Sequence, residues 1–143
     1  QSSILKPSSS LMGRTLFQIG NGLMLLLFAT AAIVQYNDPD PWLWMGVYGA
    51  ASLCCALFLA GRLPALLSGV LTVGCFLGTL YFTIRILFGS VPFFDVTGQE
   101  MMGLMEETRE MLGFLITGLW TGVLTWQTRA SSTPASASPE PSA

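Results

Sequence analysis

Histidine is absent from the chain, which removes the most common general base, the usual haem ligand and most zinc sites. Charged residues are also scarce, at 10% of 143 residues, against roughly 25% in soluble domains. The net charge of −2 gives no electrostatic basis for binding nucleic acid, so no such partner is expected. Hydrophobic residues reach 52%, and the mean hydropathy is +0.61. A soluble domain of this size needs more polar surface than this composition supplies.

Cysteine is limited to three residues, Cys54, Cys55 and Cys75, all inside apolar runs. Their spacing matches neither a redox CxxC motif nor a metal site. We therefore expect them to be small buried apolar residues.

Apolar runs predict an all-α integral membrane protein, a bundle of four transmembrane helices. A bilayer core of about 30 Å needs roughly 20 helical residues, and no run shows the alternation typical of a barrel strand. The fourth run is the shortest, so its helix must begin in the acidic stretch before it. The predicted domain covers 14–129, with spans at about 15–35, 42–60, 65–88 and 108–127. A polar segment, 1–13, precedes it, and a Ser/Pro/Ala-rich tail, 130–143, follows it and is expected to be disordered alone.

Proline and acidic residues mark the breaks between the runs. Asp40 is expected to cap the second helix, with Pro41 at its first position. Residues 97–100, Thr-Gly-Gln-Glu, have the spacing of a capping box, which predicts a short interfacial helix before the fourth span.

Basic residues are distributed unevenly between the two predicted sides. Lys6, Arg14, Arg62 and Arg129 share one side, whereas the other has two arginines and most of the acidic residues. The positive-inside rule therefore places both termini in the cytoplasm, stroma or matrix. The aromatic residues expected in the interfacial belts are Tyr36, Trp42 and Trp44 on the outer side and Trp126 on the inner side.

Two blocks of sequence resemble the transmembrane protein 220 family. The first comprises Asn21-Gly22-Leu23-Met24, the Gln35-Tyr36-Asn37-Asp38-Pro39-Asp40 turn, Trp44 and Val47-Tyr48; the second comprises Glu106-Glu107-Thr108-Arg109-Glu110 and Gly113. The resemblance runs from the first span to the fourth. It implies a small four-helix fold in a membrane and implies no mechanism.

Acidic residues on the predicted outer side form one candidate site. Carboxylates near one another suit Ca²⁺ or Mg²⁺, or a cationic substrate. The favoured interpretation is simpler: acidic residues stabilise a helix N-terminus, Glu106 pairs with Arg109 one helical turn away, and no metal ligand set is assigned. The residues concerned are Asp38, Asp40, Glu106, Glu107, Glu110 and Arg109.

Amide side chains in the first span form a second set, because an amide in hydrocarbon requires a partner. Gln18, Asn21 and Gln35 are expected on roughly one side of the helix, with Tyr48 as a candidate partner. The favoured role is hydrogen bonding between helices. A buried pocket or a pigment contact is the alternative; no cofactor is required, although bound lipid or pigment is compatible.

Glycines spaced four apart recur in the spans. Such small residues allow helices to approach closely, within the bundle or against another subunit. They are Gly74 and Gly78, Gly118 and Gly122, and Gly46 with Ala50.

These features favour a non-catalytic accessory or assembly subunit of a photosynthetic or respiratory membrane complex. Membrane lipid and other membrane subunits are then the partners. The start at Gln1 and the composition of the tail favour a thylakoid or mitochondrial inner membrane over a plasma membrane. The alternatives are a protein that binds a ligand or divalent cation, or a small enzyme, acting at the outer acidic face, and a small transporter.

Overall fold

Four α-helices build the chain in the computed structural model, which describes residues 8–38, 40–88 and 98–132. They follow the apolar runs, since a helix satisfies its own backbone groups in lipid. The helices are α1 (Ser8–Val34), α2 (Pro41–Leu59), α3 (Ala65–Phe88) and α4 (Gly98–Ser132), with a short 3₁₀ turn, Gln35–Asn37, after α1. All regular structure within the described ranges is helical, as predicted.

The turns that join the helices have identifiable causes. Asp40 precedes α2 and Pro41 opens it, as predicted, but the Asp40 side chain makes no capping hydrogen bond. Gly61 ends α2 with a φ of 66°, a conformation that glycine adopts without steric cost. The backbone N–H of Gly61 donates to the carbonyl oxygen of Phe58 at 3.0 Å, and that of Arg62 donates to the carbonyl oxygen of Leu57 at 2.9 Å. This is the Schellman arrangement, which satisfies carbonyls at a helix end.

Helix pairing organises the bundle into two hairpins. α1 packs along α2 and α3 along α4, and the hairpins meet mainly through α2 and α4. One core cluster centres on Phe28, Ala51 and Leu124, and the other on Trp44 and Phe114. All three cysteines are buried and free, which confirms that prediction.

Within the described part of the chain, three helices are long and apolar enough to cross a membrane: Leu11–Asn37, Pro41–Leu59 and Ala65–Phe88. They correspond to the first three predicted spans. The chain is therefore an all-helical protein with spans of membrane-crossing length, and the crossing by α4 remains a prediction.

α4 differs from the prediction at its start. It begins at Gly98 and continues without interruption to Ser132, so the predicted interfacial helix is its first part. The Met, Leu, Glu and Gln residues of this stretch are strong helix formers, which explains the extension. Thr97, Lys6 and the tail from 133 lie outside the described residues.

Candidate functional site

Asn21 is the polar centre of the bundle. It is fully buried, its Nδ2 donates to the carbonyl oxygen of Cys55 at 3.0 Å, and its Oδ1 accepts from the indole Nε1–H of Trp120 at 3.2 Å. One amide thus joins α1, α2 and α4, using both its donor and its acceptor. Tyr48, the predicted partner, does not fill this role for Asn21.

Aromatic rings extend this junction toward the end of the bundle where α1 begins. Trp120 stacks on Phe17 with centroids 5.8 Å apart and planes at 16°. Phe17 in turn meets the Phe58 ring edge-on at 5.5 Å. The three rings close the interior beside Asn21.

The other two amides, which were expected on roughly the same side of α1, do not take part in the hydrogen bonds of Asn21. Gln18 is exposed. Gln35 is half-buried in the 3₁₀ turn, where its backbone carbonyl accepts the N–H of Asp38 at 3.1 Å. The helical period on which the prediction rested ends at Val34, one residue before Gln35.

Tyr48 belongs instead to an aromatic cluster between α2 and α4. The centroid of its ring lies 5.6 Å from that of Trp44 and 6.3 Å from that of Phe28. The ring centroids of Trp44 and Phe114 are 4.8 Å apart. Trp44 is only 2% exposed, so its assignment to the outer aromatic belt is wrong. One helical turn from Tyr48, Trp44 shares the face of α2 that packs against α4.

Gly113 makes room for this cluster. A Cβ built there would overlap the Tyr48 hydroxyl and lie 3.3 Å from the Trp44 ring. Glycine therefore permits the close approach of α2 to α4.

The predicted glycine pairs divide into two groups. A Cβ at Gly78 would meet the Phe114 ring at 2.9 Å, one at Gly118 would meet Cys75 at 3.1 Å, and one at Gly122 would meet Thr72 at 3.4 Å. These three serve packing between α3 and α4. Gly46 and Gly74 are exposed, and a Cβ there would meet nothing within 4 Å.

Ion pairs tie the elements together at the acidic end of the bundle. Arg109 Nη2 lies 3.1 Å from Asp38 Oδ1, and Arg85 Nη2 lies 2.6 Å from Glu107 Oε1. The predicted Glu106–Arg109 pair is therefore wrong, because the α1–α2 turn carries Asp38 to Arg109. Arg85, whose guanidinium also lies 5.9 Å from the Tyr81 ring centre, reaches α4 from α3.

The remaining acidic residues are less constrained. Asp40 and Glu106 are exposed and Glu110 is half-buried. Within the described residues, no three acidic, His or Cys side chains are grouped so that they could hold a metal ion. Asp38 and Glu107 are each paired with an arginine side chain, which neutralises the carboxylate in place of a metal ion.

The family model for Transmembrane family 220, helix, matches residues 27–126. The chain belongs to this family. The match includes the Asp38 turn, Trp44, Tyr48 and the 106–110 block, and it begins after Asn21. No solved structure matches the chain.

Hydroxyl groups connect α3 to α4 in this family 220 protein. Thr125 Oγ1 lies 2.9 Å from Ser68 Oγ, and Thr72 Oγ1 lies 3.0 Å from Thr121 Oγ1. Sequence reasoning missed this hydroxyl ladder. The available signal was the recurrence of threonine every fourth residue, at Thr117, Thr121 and Thr125, which puts the hydroxyls on one face.

An open cleft of about 610 Å³, also missed, lies at the other end of the bundle from the ion pairs. The start of α1, the end of α2 with its turn, and the end of α4 surround it. We call it the terminal cleft. Its polar lining residues are Arg14, Gln18, Gln127, Thr128, Ser131 and Ser132, and its large apolar lining residues are Phe17, Phe58, Leu59 and Leu63.

Proposed function

We propose that this family 220 protein is a non-catalytic subunit that assembles with other proteins in a larger membrane complex. The observation that carries the proposal is an outward apolar stripe on α3, the outer α3 stripe. Seven large aliphatic residues recur at alternating spacings of four and three, and each is 48% to 78% exposed: Leu66, Val70, Val73, Leu77, Leu80, Ile84 and Leu87.

This spacing is the heptad pattern that brings one helix face against a partner helix. Gly74 lies next to the stripe with open space above its Cα, and small residues let membrane helices approach closely. The outer face of α1 is less regular, since the exposed polar Thr30 interrupts its large apolar residues. The occupant we propose for the stripe is a transmembrane helix of another protein.

The interior of the bundle supports a scaffold role. Asn21 joins α1, α2 and α4, and the hydroxyl ladder joins α3 to α4. Among the described residues, every buried side-chain nitrogen or oxygen has a hydrogen-bond partner. Polar groups used in this way hold the helices in fixed positions, so the outer surface keeps one shape for a partner.

Charge supports the orientation. Arg14, Arg62 and Arg129 lie at the end with the terminal cleft, and the described acidic residues lie at the other. We propose that both termini face the cytoplasm, stroma or matrix and that α4 is the fourth span. The proposed host is a photosynthetic or respiratory complex, so thylakoid and mitochondrial inner membranes are the fractions to compare.

The test is the size of the complex that carries the protein after gentle detergent extraction. Gly74→Leu adds a side chain beside the stripe, and Gly46→Leu makes the same change at an exposed position on α2. On native gels, we expect wild type and Gly46→Leu in one large assembly with other membrane subunits identified by mass spectrometry. Gly74→Leu should run as a small species. Retention of Gly74→Leu, or a wild type that runs alone, would refute the proposal.

A further inference from the structure

We propose that the terminal cleft binds the headgroup of an anionic phospholipid whose phosphate carries a hydroxyl-bearing substituent, such as glycerol. The cleft volume of about 610 Å³ falls within the roughly 300–1,000 Å³ typical of small-molecule sites. Its position at the ends of three helices places it at headgroup depth when these helices span a bilayer. The inference does not depend on the proposed assembly role.

Negative charge in the ligand follows from the donors that line the cleft. Arg14 contributes a guanidinium that forms no ion pair with the described residues. Gln18 and Gln127 add amide donors. The described acidic residues lie at the other end of the bundle, so none of these carboxylates competes with a ligand for Arg14. A guanidinium is well matched to phosphate, both in charge and in the geometry of its donors.

Hydrogen-bond acceptors in the cleft lining indicate that the ligand carries hydroxyl groups. Thr128 Oγ1 donates its own proton to the Leu124 carbonyl at 2.8 Å. The Ser131 and Ser132 hydroxyls donate to the backbone carbonyl oxygens of Gln127 and Thr128, each at 2.9 Å. With their protons committed to the helix, these oxygens face a ligand as acceptors, and a headgroup with its own O–H donors matches them. A choline headgroup provides no such donor and adds a positive charge near Arg14.

A lipid, rather than free phosphate or a polyol phosphate, follows from the apolar lining. Phe17, Phe58 and Leu63 lie in the same cleft as Arg14. Leu59, also in the lining, is exposed and continues the apolar wall onto the outer surface of α2. The glycerol backbone and first methylenes of a lipid would cover these side chains, whereas a small anion would leave them in water.

The ligand is tested by thermal unfolding of the full chain in detergent, titrated with different probes. Phosphatidylglycerol should stabilise the protein in a saturable manner. Phosphatidylmethanol has the same charge without hydroxyls and should bind more weakly, while phosphatidylcholine, inorganic phosphate and glycerol phosphate should give no comparable shift. Equal binding of phosphatidylmethanol would overturn the hydroxyl assignment. Equal protection by inorganic phosphate or glycerol phosphate would overturn the lipid assignment.

The location is tested with two arginine variants. Arg14→Gln should weaken phosphatidylglycerol binding about tenfold, the scale of one charge-assisted hydrogen bond. Arg62→Gln removes the same charge at the same end of the bundle, but Arg62 does not line the cleft, and it should bind like wild type. Thr128→Val, which keeps the shape and removes an acceptor, should reduce the preference for phosphatidylglycerol over phosphatidylmethanol. Equal losses in Arg14→Gln and Arg62→Gln would indicate non-specific attraction and overturn the site.

Discussion

Arg109 on α4 holds Asp38, in the turn after α1, through both carboxylate oxygens, at 3.1 and 3.3 Å. The Asp38 side chain is only 12% exposed, so the pair is partly shielded from solvent. It fastens the first hairpin to the second at the acidic end. A second ion pair, between Arg85 and Glu107, connects α3 to α4.

The Arg109–Asp38 pair should be measurable as a coupling energy. We expect Arg109→Met and Asp38→Asn each to lower the free energy of unfolding, and the double variant to lose less than the sum. The difference should be about 0.5–1 kcal/mol, because the guanidinium is largely exposed. Glu106→Gln is the control and should show no coupling to Arg109. Coupling with Glu106 instead of Asp38 would restore the pairing expected from the sequence.

Asn21→Leu should destabilise the bundle more than any exposed amide substitution. It removes the partner of the Trp120 indole N–H and one bond to the Cys55 carbonyl, at a cost of about 1–3 kcal/mol. Gln18→Leu, one helical turn earlier and exposed, is the matched control and should change stability by a few tenths of that range. Unfolding in detergent, followed by tryptophan fluorescence, measures both. Equal stability of the two variants would show that the junction is not structural.

Gly113→Ala should be destabilising by about 1–3 kcal/mol, since the added methyl meets the Tyr48 hydroxyl. Tyr48→Phe removes that oxygen and should recover part of the loss when combined with Gly113→Ala. Gly74→Ala, where nothing lies within 4 Å, should be neutral or slightly stabilising. Absence of any recovery in the double variant would argue against this contact.

Divalent cations should not change the thermal stability of the protein. Asp38 and Glu107 are paired with arginines, and no three carboxylates among the described residues are grouped so that they could hold an ion. Millimolar Ca²⁺ or Mg²⁺, compared with monovalent salt at equal ionic strength, should leave the melting temperature unchanged in wild type and Glu110→Gln. A bound ion would instead add about 2.7 kcal/mol at a hundredfold excess over its dissociation constant. A saturable rise that Glu110→Gln abolishes would establish a cation site.

The helices were predictable because their signal is local. Apolar runs and proline-marked turns predicted the ends of α2 and α3 to within one residue. α1 ends one residue before its predicted end but begins at Ser8, seven residues before the predicted span and within the predicted polar segment 1–13. A helix start near residues 97–100 was predicted, but its continuity with the fourth span was not. The acidic, Met-rich stretch between them is helical without being apolar, so the apolar pattern did not join the two. Trp44 was misplaced for a related reason: an aromatic residue near a helix start suits both an interface and a core, and only its neighbours decide between them.

The polar contacts were not predictable because they join distant parts of the chain. Asn21 was recognised as a residue that needs partners, but Cys55 and Trp120 lie 34 and 99 residues away. Arg109 is 71 residues from Asp38, whereas the expected partner, Glu106, was local. Which helices are neighbours determines such contacts, and a single sequence does not state it.

Assembly through the outer α3 stripe is tested most directly by photo-cross-linking in the native membrane. A photoreactive amino acid at position 77 lies on the stripe, and one at position 23 on α1 is the control, since Leu77 and Leu23 are similarly exposed, at 61% and 64%. We predict a discrete heavier product from position 77, containing this chain and one other membrane protein, and only lipid adducts from position 23. Lipid adducts alone from position 77 would contradict the account.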